Sequence, residues 1–149
     1  MRILVQRVKN AKVNVAGNDI PAIGYGLLIF VGIGKDDGND DIDIMARKIA
    51  NLRIFEDEHG KMNLNIKQVK GRILSVPQFT LYADTRRGNR PGFEMSAEPE
   101  MAKELWVLFN DKLISEGIEV EAGVFGARME VSLINDGPVT IWLDSKKDK

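Results

Sequence analysis

Leu27-Leu28-Ile29-Phe30-Val31-Gly32-Ile33 is the longest apolar run in the chain, and it determines the fold class that we predict. A short run of this kind, rich in branched apolar side chains, is typical of a strand that is buried on both faces. It is far too short to cross a bilayer, which requires about 20 residues. The run therefore predicts a central strand of a sheet and no membrane span.

Further strands are predicted on both sides of this run. Residues 2–8 alternate apolar and polar side chains, as half-buried strands do. Residues 72–81 have the composition of a strand, and Pro77 within them implies an edge, a bulge or a strand end. The other predicted strands are residues 12–15, 53–56, 118–122, 129–134 and 139–143, and residues 57–60 form a turn.

Two stretches change to helical spacing. Residues 40–52 repeat apolar side chains at this spacing after acidic residues that favour a helix N-terminus. Residues 97–116 form a second predicted helix, with Pro99 in its first turn, Gly117 as its cap and an apolar face. That face contains Met101, Leu105, Leu108, Phe109 and Leu113.

Two helices among many strands predict an α/β protein of mixed β-sheets, barrel-like or layered, with both helices packed on one side. The length of 149 residues favours a single domain, residues 1–149, in which residues 145–149 form a frayed tail. Residues 1–8 lack the design of a signal peptide, so we expect a cytoplasmic protein.

Composition excludes several kinds of chemistry. The chain has no cysteine, so thiol catalysis, disulfides and thiolate metal sites are excluded. His59 is the only histidine and lies in an acidic turn, where a solvated side chain is favoured over a catalytic one. The acidic residues 36–41 lack the ligand spacing of a calcium loop and suit a helix entry better. We therefore predict no metal and no cofactor.

The formal net charge of −1 argues against a protein that coats nucleic acid indiscriminately, and we predict no DNA partner. A local site for one RNA end remains compatible with that charge. Arg86, Arg87 and Arg90 belong to a predicted loop, residues 84–93, and are either solvated or in contact with phosphates.

Two short stretches combine groups that can act on a substrate. Gln78, Phe79 and Thr80 place an amide, an aromatic ring and a hydroxyl at a predicted strand end. Residues 135–140, Asn-Asp-Gly-Pro-Val-Thr, lie between two predicted strands. On composition alone this second stretch is a simple hairpin turn.

These two stretches carry a resemblance to the D-aminoacyl-tRNA deacylase family, also known as D-tyrosyl-tRNA deacylases. The family motif Ser-Gln-Phe-Thr-Leu is matched from Gln78 to Leu81, and the motif Asn-x-Gly-Pro-x-Thr is matched in full from Asn135 to Thr140. Further similarity covers nearly the whole chain. It includes Gln6-Arg7-Val8, Arg53-Ile54-Phe55, Gly60-Lys61-Met62-Asn63, Arg90-Pro91 and Phe125-Gly126-Ala127.

The resemblance implies hydrolysis of the ester between a D-amino acid and the 3′ end of tRNA. It implies that Gln78, Phe79 and Thr80 form the catalytic motif, with backbone N–H groups around Phe79 and Thr80 as oxyanion donors. The vicinal 2′-hydroxyl of the RNA would assist the attacking water. Such a mechanism suits a sequence that has no obvious general base.

The resemblance also implies that the protein is a homodimer. The second motif would select the chirality of the substrate in the active site of the partner subunit. Carbonyl groups of Gly137 and Pro138, across a cis bond, would accept hydrogen bonds from the substrate ammonium and exclude L-side chains. Glycine has no side chain to exclude, so glycyl-tRNA is an implied second substrate. Asn135 and Thr140 complete the motif, and Arg7 would orient it; otherwise Arg7 is an exposed strand residue.

The chain departs from the family at Pro77, where the family has serine, and this departure bears on the breadth of substrates. Ser75 cannot be assumed to replace that serine. Two rival interpretations of the sequence are a non-catalytic module that binds an RNA end or a protein, and a metal-free esterase for small molecules.

Overall fold

Two long strands, β1 (Arg2–Val15) and β8 (Glu130–Asp144), form the frame of the fold. The computed structural model describes residues 1–148. β8 runs antiparallel along one edge of β1 for nearly its whole length. β3 (Gly26–Gly32) pairs antiparallel with the first half of the other edge. Because both of its edges are occupied, β1 lies inside the sheet.

The sheet is mixed, as the sequence predicts. The remaining elements are β2 (Asn18–Asp19), α1 (Asn39–Asn51), β4 (Phe55–Glu56), β5 (Met62–Leu64), β6 (Arg72–Pro77), a 3-10 helix (Phe79–Tyr82), α2 (Pro99–Ser115) and β7 (Glu119–Ala122). The strands of the sheet follow the order β2-β1-β3-β6-β7, with β8 on the free edge of β1, and β6 is parallel to both β3 and β7. β4 and β5 form a separate antiparallel pair.

The sheet has an apolar core on each face. Leu27, Ile29 and Val31 of β3 belong to the larger core, which also contains the buried residues of α1 and α2. Leu28 belongs to the smaller core, which contains residues from the far half of β1 and the near half of β8. These halves curl over the second face of the sheet, so both helices pack on one side, as predicted.

Both helices begin and end within two residues of the predicted bounds, but the buried face of α2 differs. Ala102, Trp106, Phe109 and Leu113 are buried, whereas Leu108 is 49% exposed. The predicted apolar face was therefore wrong at Leu108 alone, since Met101 and Leu105 pack half-buried against the core and Phe109 and Leu113 belong to it. Sequence reasoning also missed Ala102 and Trp106, because the helix is apolar around much of its circumference and the sheet selects which side is covered.

Three of the predicted strand boundaries were wrong. The strands predicted at residues 2–8 and 12–15 are one strand, β1, and those predicted at 129–134 and 139–143 are one strand, β8. The strand predicted at 72–81 ends at Pro77, and the chain then turns into the 3-10 helix. Proline is tolerated there because β7 pairs only with residues 72–75, so the position has no partner on that edge.

The prediction that residues 145–149 form a frayed tail was also wrong for the described residues; Lys149 lies outside them. Ser145 is fully buried, and its hydroxyl donates to an oxygen of Asp41 at 2.6 Å. The amino group of Met1 donates to Ser145 at 2.7 Å and to Asp37. Lys146 forms an ion pair with Asp41 at 2.9 Å. Buried charges require such partners, and the partners hold the end of the chain in place.

The Asp41 cluster predicts an acid-sensitive contribution to stability. Burial raises the pKa of Asp41, but hydrogen bonds from Ser145, Lys146 and Gly38 outweigh it and lower the pKa from 3.8 to about 2. A carboxyl group with a lowered pKa stabilises the fold above pH 3.8 and loses that effect as the pH falls through about 2.

We therefore expect Asp41→Asn to cost about 2 kcal/mol of unfolding free energy at neutral pH and to flatten the loss of stability in acid. The measurement is urea unfolding of both proteins between neutral and acid pH. Asp43→Asn in the same helix is the matched control, because Asp43 forms a solvent-exposed pair with Lys112. Equal acid sensitivity of the wild type and Asp41→Asn would contradict the assignment.

Candidate active site

The first motif lies where β6 leaves the sheet. The N–H of Gln78 donates to the carbonyl of Val31 at 2.8 Å, which is the last bond between this segment and β3. The side-chain amide of Gln78 donates to the hydroxyl of Thr80. The ring of Phe79 is 56% exposed and contacts the ring of Phe93 edge-on, with 4.9 Å between centroids. The motif therefore presents three side chains at one end of the sheet.

Two backbone N–H groups of this motif are free. The first residues of a helix have no earlier carbonyl within reach, so their N–H groups need other acceptors. Among the described residues, the N–H groups of Phe79 and Thr80 have no acceptor, whereas that of Leu81 donates to Gln78 at 3.3 Å. Two adjacent unpaired donors of this kind suit an oxygen that carries negative charge.

A cavity of 330 Å³ adjoins this motif: Gln78 and Phe79 line it, and Thr80 is the next residue along the chain. The rest of the wall comes from the ends of β3 and β6, from α2 and the segment before it, and from residues 125–131 around the start of β8. None of the described side chains in the wall titrates near neutral pH. The wall consists of Val31, Ile33, Val76, Pro77, Gln78, Phe79, Ser96, Ala102, Trp106, Phe125, Gly126, Ala127, Met129 and Val131. The cavity is therefore apolar, with a few polar groups at Gln78 and Ser96.

Ser75 supports the wall of the cavity and is not part of it. Its hydroxyl accepts the indole N–H of Trp106 at 2.9 Å, and the side chain is fully buried. Ser75 therefore does not replace the serine that the family has in place of Pro77. Sequence reasoning missed Trp106. Two signals for this contact were present in the sequence: a polar residue, Ser75, in a buried strand, and an indole N–H that needs an acceptor.

The second motif is a bulge within β8 and not a hairpin turn between two strands. Thr140 pairs with Gln6 and Asn135 pairs with Val8, so the four residues 136–139 stand opposite Arg7 alone. The Gly137–Pro138 peptide bond is cis, and both residues are exposed. The hairpin interpretation was wrong because β1 continues past the motif and keeps both halves of β8 in one ladder.

The Asn135 side chain holds the base of this bulge. Its amide donates to the carbonyls of Arg7 at 3.0 Å and Val139 at 3.1 Å, and its oxygen accepts from Gln6 at 2.9 Å. The Thr140 hydroxyl lies 2.9 Å from the same oxygen and 3.2 Å from the Pro138 carbonyl. These side-chain hydrogen bonds take the place of the backbone hydrogen bonds between β1 and β8 that the bulge interrupts, so the exposed backbone of the bulge is rigid.

Arg7 lies beneath the bulge and is 3% exposed, so it is not an ordinary surface arginine. Its guanidinium donates to the carbonyl of Ile54 at 2.8 Å and lies 3.1 Å from the carboxylate of Asp136. Glu56 is 3.8 Å away. Arg7 therefore fixes the bulge through Asp136 and β4.

The two motifs lie at opposite ends of β3 in one chain. Gln78 adjoins Val31, whereas Arg7 and the bulge stand opposite Leu27. Four residues of a strand correspond to about 13 Å. Within the described part of the chain, no residue of the bulge lines the cavity. The structure thus brings the members of each motif together and does not bring the two motifs together.

The remaining candidate residues lie outside the two motifs. His59 is exposed in its turn, with Glu58 at 3.5 Å. Asp41 accepts the N–H of Gly38 at the entry of α1, as expected of the acidic stretch. Across residues 1–148 there is no group of three or more histidine or acidic side chains that could hold a metal ion. In the same residues no helix is long and apolar enough to cross a membrane.

Known proteins resemble this chain over nearly all of its length. The family description D-Tyr-tRNA(Tyr) deacylase matches residues 4–144. A D-aminoacyl-tRNA deacylase of Thermosipho africanus (strain TCF52B) is 54% identical over 147 residues, which are 99% of each chain.

Two solved structures share the fold. One, titled c-Myc DNA Unwinding Element Binding Protein, superposes with a TM-score of 0.91 at 40% identity and covers 97% of this chain and 98% of its own. The other, a probable eukaryotic D-amino acid tRNA deacylase, has a TM-score of 0.84 at 15% identity and covers 95% and 97%. At that identity the second match supports the fold alone.

The bulge predicts an unusual sensitivity at Gly137. Its φ is +115°, and an added Cβ would lie 2.8 Å from the Val139 side chain and 2.9 Å from the Val139 nitrogen. We expect Gly137→Ala to lower the unfolding free energy by about 3 kcal/mol, through strain and overlap together.

Gly60→Ala is the matched control for this substitution. Gly60 also has a positive φ, +72°, but an added Cβ there meets no atom within 4 Å. The control should lose about 1 kcal/mol, the cost of the left-handed conformation alone. Urea unfolding measures both variants, and equal losses would show that the bulge tolerates a side chain.

Proposed function

This chain belongs to the D-tyrosyl-tRNA deacylase family, and from that membership we propose how its residues hydrolyse D-aminoacyl-tRNA. The reaction breaks the ester between the amino acid and the terminal ribose and releases free D-amino acid and tRNA. In translation this is a chirality proofreading step. We assign it to the cytoplasm, where tRNA is charged.

The observation that carries the proposed mechanism is an apolar cavity without a titrating wall, next to two unpaired N–H groups. Water attacks the ester carbonyl, and the resulting oxyanion is held by the N–H groups of Phe79 and Thr80. A general base is normally needed to take the proton of the water. Because the wall supplies none, the vicinal 2′-hydroxyl of the ribose positions the water and relays its proton to the departing 3′-oxygen.

Gln78 and Thr80 position the substrate in this proposal. The Gln78 amide donates to the Thr80 hydroxyl, which leaves the proton of that hydroxyl free to donate outward. A hydroxyl so oriented suits an oxygen of the terminal nucleotide. Thr80 is therefore a binding residue and not the nucleophile.

The bulge selects the chirality of the amino acid. Exposed carbonyl groups of Gly137 and Pro138 accept hydrogen bonds from the substrate ammonium, each contributing about 1.5 to 3 kcal/mol. In this pose a D-side chain points outward, whereas an L-side chain meets backbone held by Asn135, Thr140 and Arg7. Glycine has no side chain to exclude, and glycyl-tRNA is a second substrate.

The active site is shared between two copies of the chain in a homodimer. The register supports this arrangement, because the bulge and the cavity are about 13 Å apart along β3 within one chain. Each bulge then enters the cavity region of the partner subunit. A two-fold symmetric dimer contains two such composite sites.

We expect the purified protein to hydrolyse D-tyrosyl-tRNA and glycyl-tRNA at least tenfold faster than L-tyrosyl-tRNA, a difference of about 1.4 kcal/mol or more. The measurement is loss of the aminoacyl ester, with and without a metal chelator. Rates should be unchanged by the chelator. Abolition of activity by chelation and its return with a divalent ion would overturn the mechanism, and binding of tRNA without hydrolysis would support a non-catalytic module.

Mixing two impaired variants tests the shared site. Gln78→Ala/Thr80→Ala damages the cavity side and Gly137→Ala damages the bulge. A mixed dimer retains one site with both parts intact, so subunit exchange between equal amounts should restore about a quarter of the wild-type rate. The control is each variant mixed with itself. Light scattering reports the dimer, and a stable, fully active monomer would contradict the arrangement.

A further inference from the structure

The loop of residues 84–93, the arginine loop, has a defined shape. Asp84 and Gly92 exchange backbone hydrogen bonds of 2.8 and 2.9 Å, which close the loop at its base. The guanidinium of Arg86 clamps the carboxylate of Asp84 with contacts of 2.6 to 3.1 Å. The charge of Arg86 is therefore neutralised within the loop, and its role is to hold the loop closed.

The arginine loop is fixed to the rim of the catalytic cavity. The ring of Phe93 packs on Phe79, which lines the cavity. Beyond the loop, Ser96 lines the cavity and the N–H of Ala97 donates to the carbonyl of Ile33 at 3.0 Å. A ligand that fills the cavity therefore has this loop beside it.

Two other guanidinium groups of the loop have no internal partner. Arg87 and Arg90 are exposed and, within residues 1–148, form no ion pair. Together with Arg86 they line a second hollow of 440 Å³. Its remaining acidic group is Glu94, whose carboxylate lies against Gly92.

A further cation extends this surface. The backbone N–H of Lys35 donates to the carbonyl of Met95 at 3.1 Å, and its exposed side chain has no ion pair in the described part of the chain. Met95 lines both the hollow of the arginine loop and the neighbouring one that Lys35 lines. The hollow that Lys35 lines also contains Asp36, Asp37 and Asp144, but in each of the two hollows the basic side chains outnumber the acidic ones by one. In a chain of net charge −1, the surface that contains Arg87, Arg90 and Lys35 is therefore locally positive.

We propose that Arg87, Arg90 and Lys35 bind backbone phosphates of the tRNA acceptor stem while the 3′-terminal nucleotide occupies the cavity. The inference rests on the proposed function, because only an aminoacyl-RNA brings phosphates to this rim. Guanidinium groups bind phosphate oxygens in a planar, forked geometry, and such contacts position RNA without reading its sequence. The surface therefore favours tRNA over small esters for all acceptor sequences alike.

The test compares a substrate that has the acceptor stem with one that lacks it. One is D-tyrosyl-tRNA, and the other is the D-tyrosyl ester of the terminal CCA trinucleotide, which lacks the stem. The variants are Arg87→Gln, Arg90→Gln and the pair combined. kcat/KM is measured between about 50 and 200 mM salt, since each phosphate contact adds about 0.7 to 0.9 to the slope of log affinity against log salt.

We expect each single variant to lower kcat/KM for D-tyrosyl-tRNA roughly fivefold and to reduce the salt slope by about 1. Rates on the trinucleotide ester should be unchanged. Equal losses on both substrates, or an unchanged salt slope, would overturn the inference. Surface substitutions of this kind leave folding intact, and a thermal melt verifies it.

Two arginines serve as matched controls. Arg128 is exposed, lies next to Met129 on the opposite wall of the cavity and forms no ion pair within the described residues, so Arg128→Gln tests whether the stem leaves on that side. Arg47→Gln on α1 tests nonspecific charge loss. A salt-slope change in Arg128→Gln alone would overturn the inference. Wild-type protein inactive on both substrates would refute the proposed function itself, whereas an active wild type with unchanged slopes would refute only the phosphate contacts.

Discussion

The pairing of β1 on both edges is the constraint on which the rest of the structure depends. β3 occupies one edge and β8 the other, so β1 has no freedom to shift its register. Most of the mismatch in length between β1 and β8 is therefore absorbed by β8, whereas β1 leaves one residue, Lys9, unpaired between Val8 and Asn10. Four residues of β8, three more than a regular ladder would place there, stand out opposite Arg7, and Asn135 supplies the hydrogen bonds that the ladder loses.

The same constraint divides the molecule into two kinds of surface. At one end of β3 the chain leaves the sheet at Pro77 and exposes unpaired N–H groups beside an apolar cavity. At the other end the bulge exposes Gly137 and Pro138. These two parts of one chain lie apart, and in our proposal a second copy brings the N–H donors of the first and the carbonyl acceptors of the second to the same substrate.

The sequence predicts the elements whose pattern is carried by their own residues. The prediction fails where contacts with distant parts of the chain determine the structure. Both helices are recovered within two residues, because helical periodicity is carried by the segment itself. The continuity of β1 is not recovered, since the exposed Lys9 and Asn10 interrupt its alternation, and the strand continues there because Val8 and Asn10 on either side of Lys9 pair with β8. Motif resemblance named the members of each group. It did not reveal Trp106 in the wall or the burial of Ser145, which depend on contacts between remote parts of the chain.

The pairing of β1 with β8 also has a kinetic consequence. Arg2 stands opposite Asp144, so the frame of the sheet closes only when residues separated by almost the whole chain meet. Contacts of such sequence separation slow folding, because loop closure costs entropy before the contacts repay it. On the ribosome β1 emerges before β8, and the edge of β1 that β8 covers keeps its backbone N–H and C=O groups unpaired until β8 has been synthesised. In the meantime β3 is the strand that pairs with the other edge of β1.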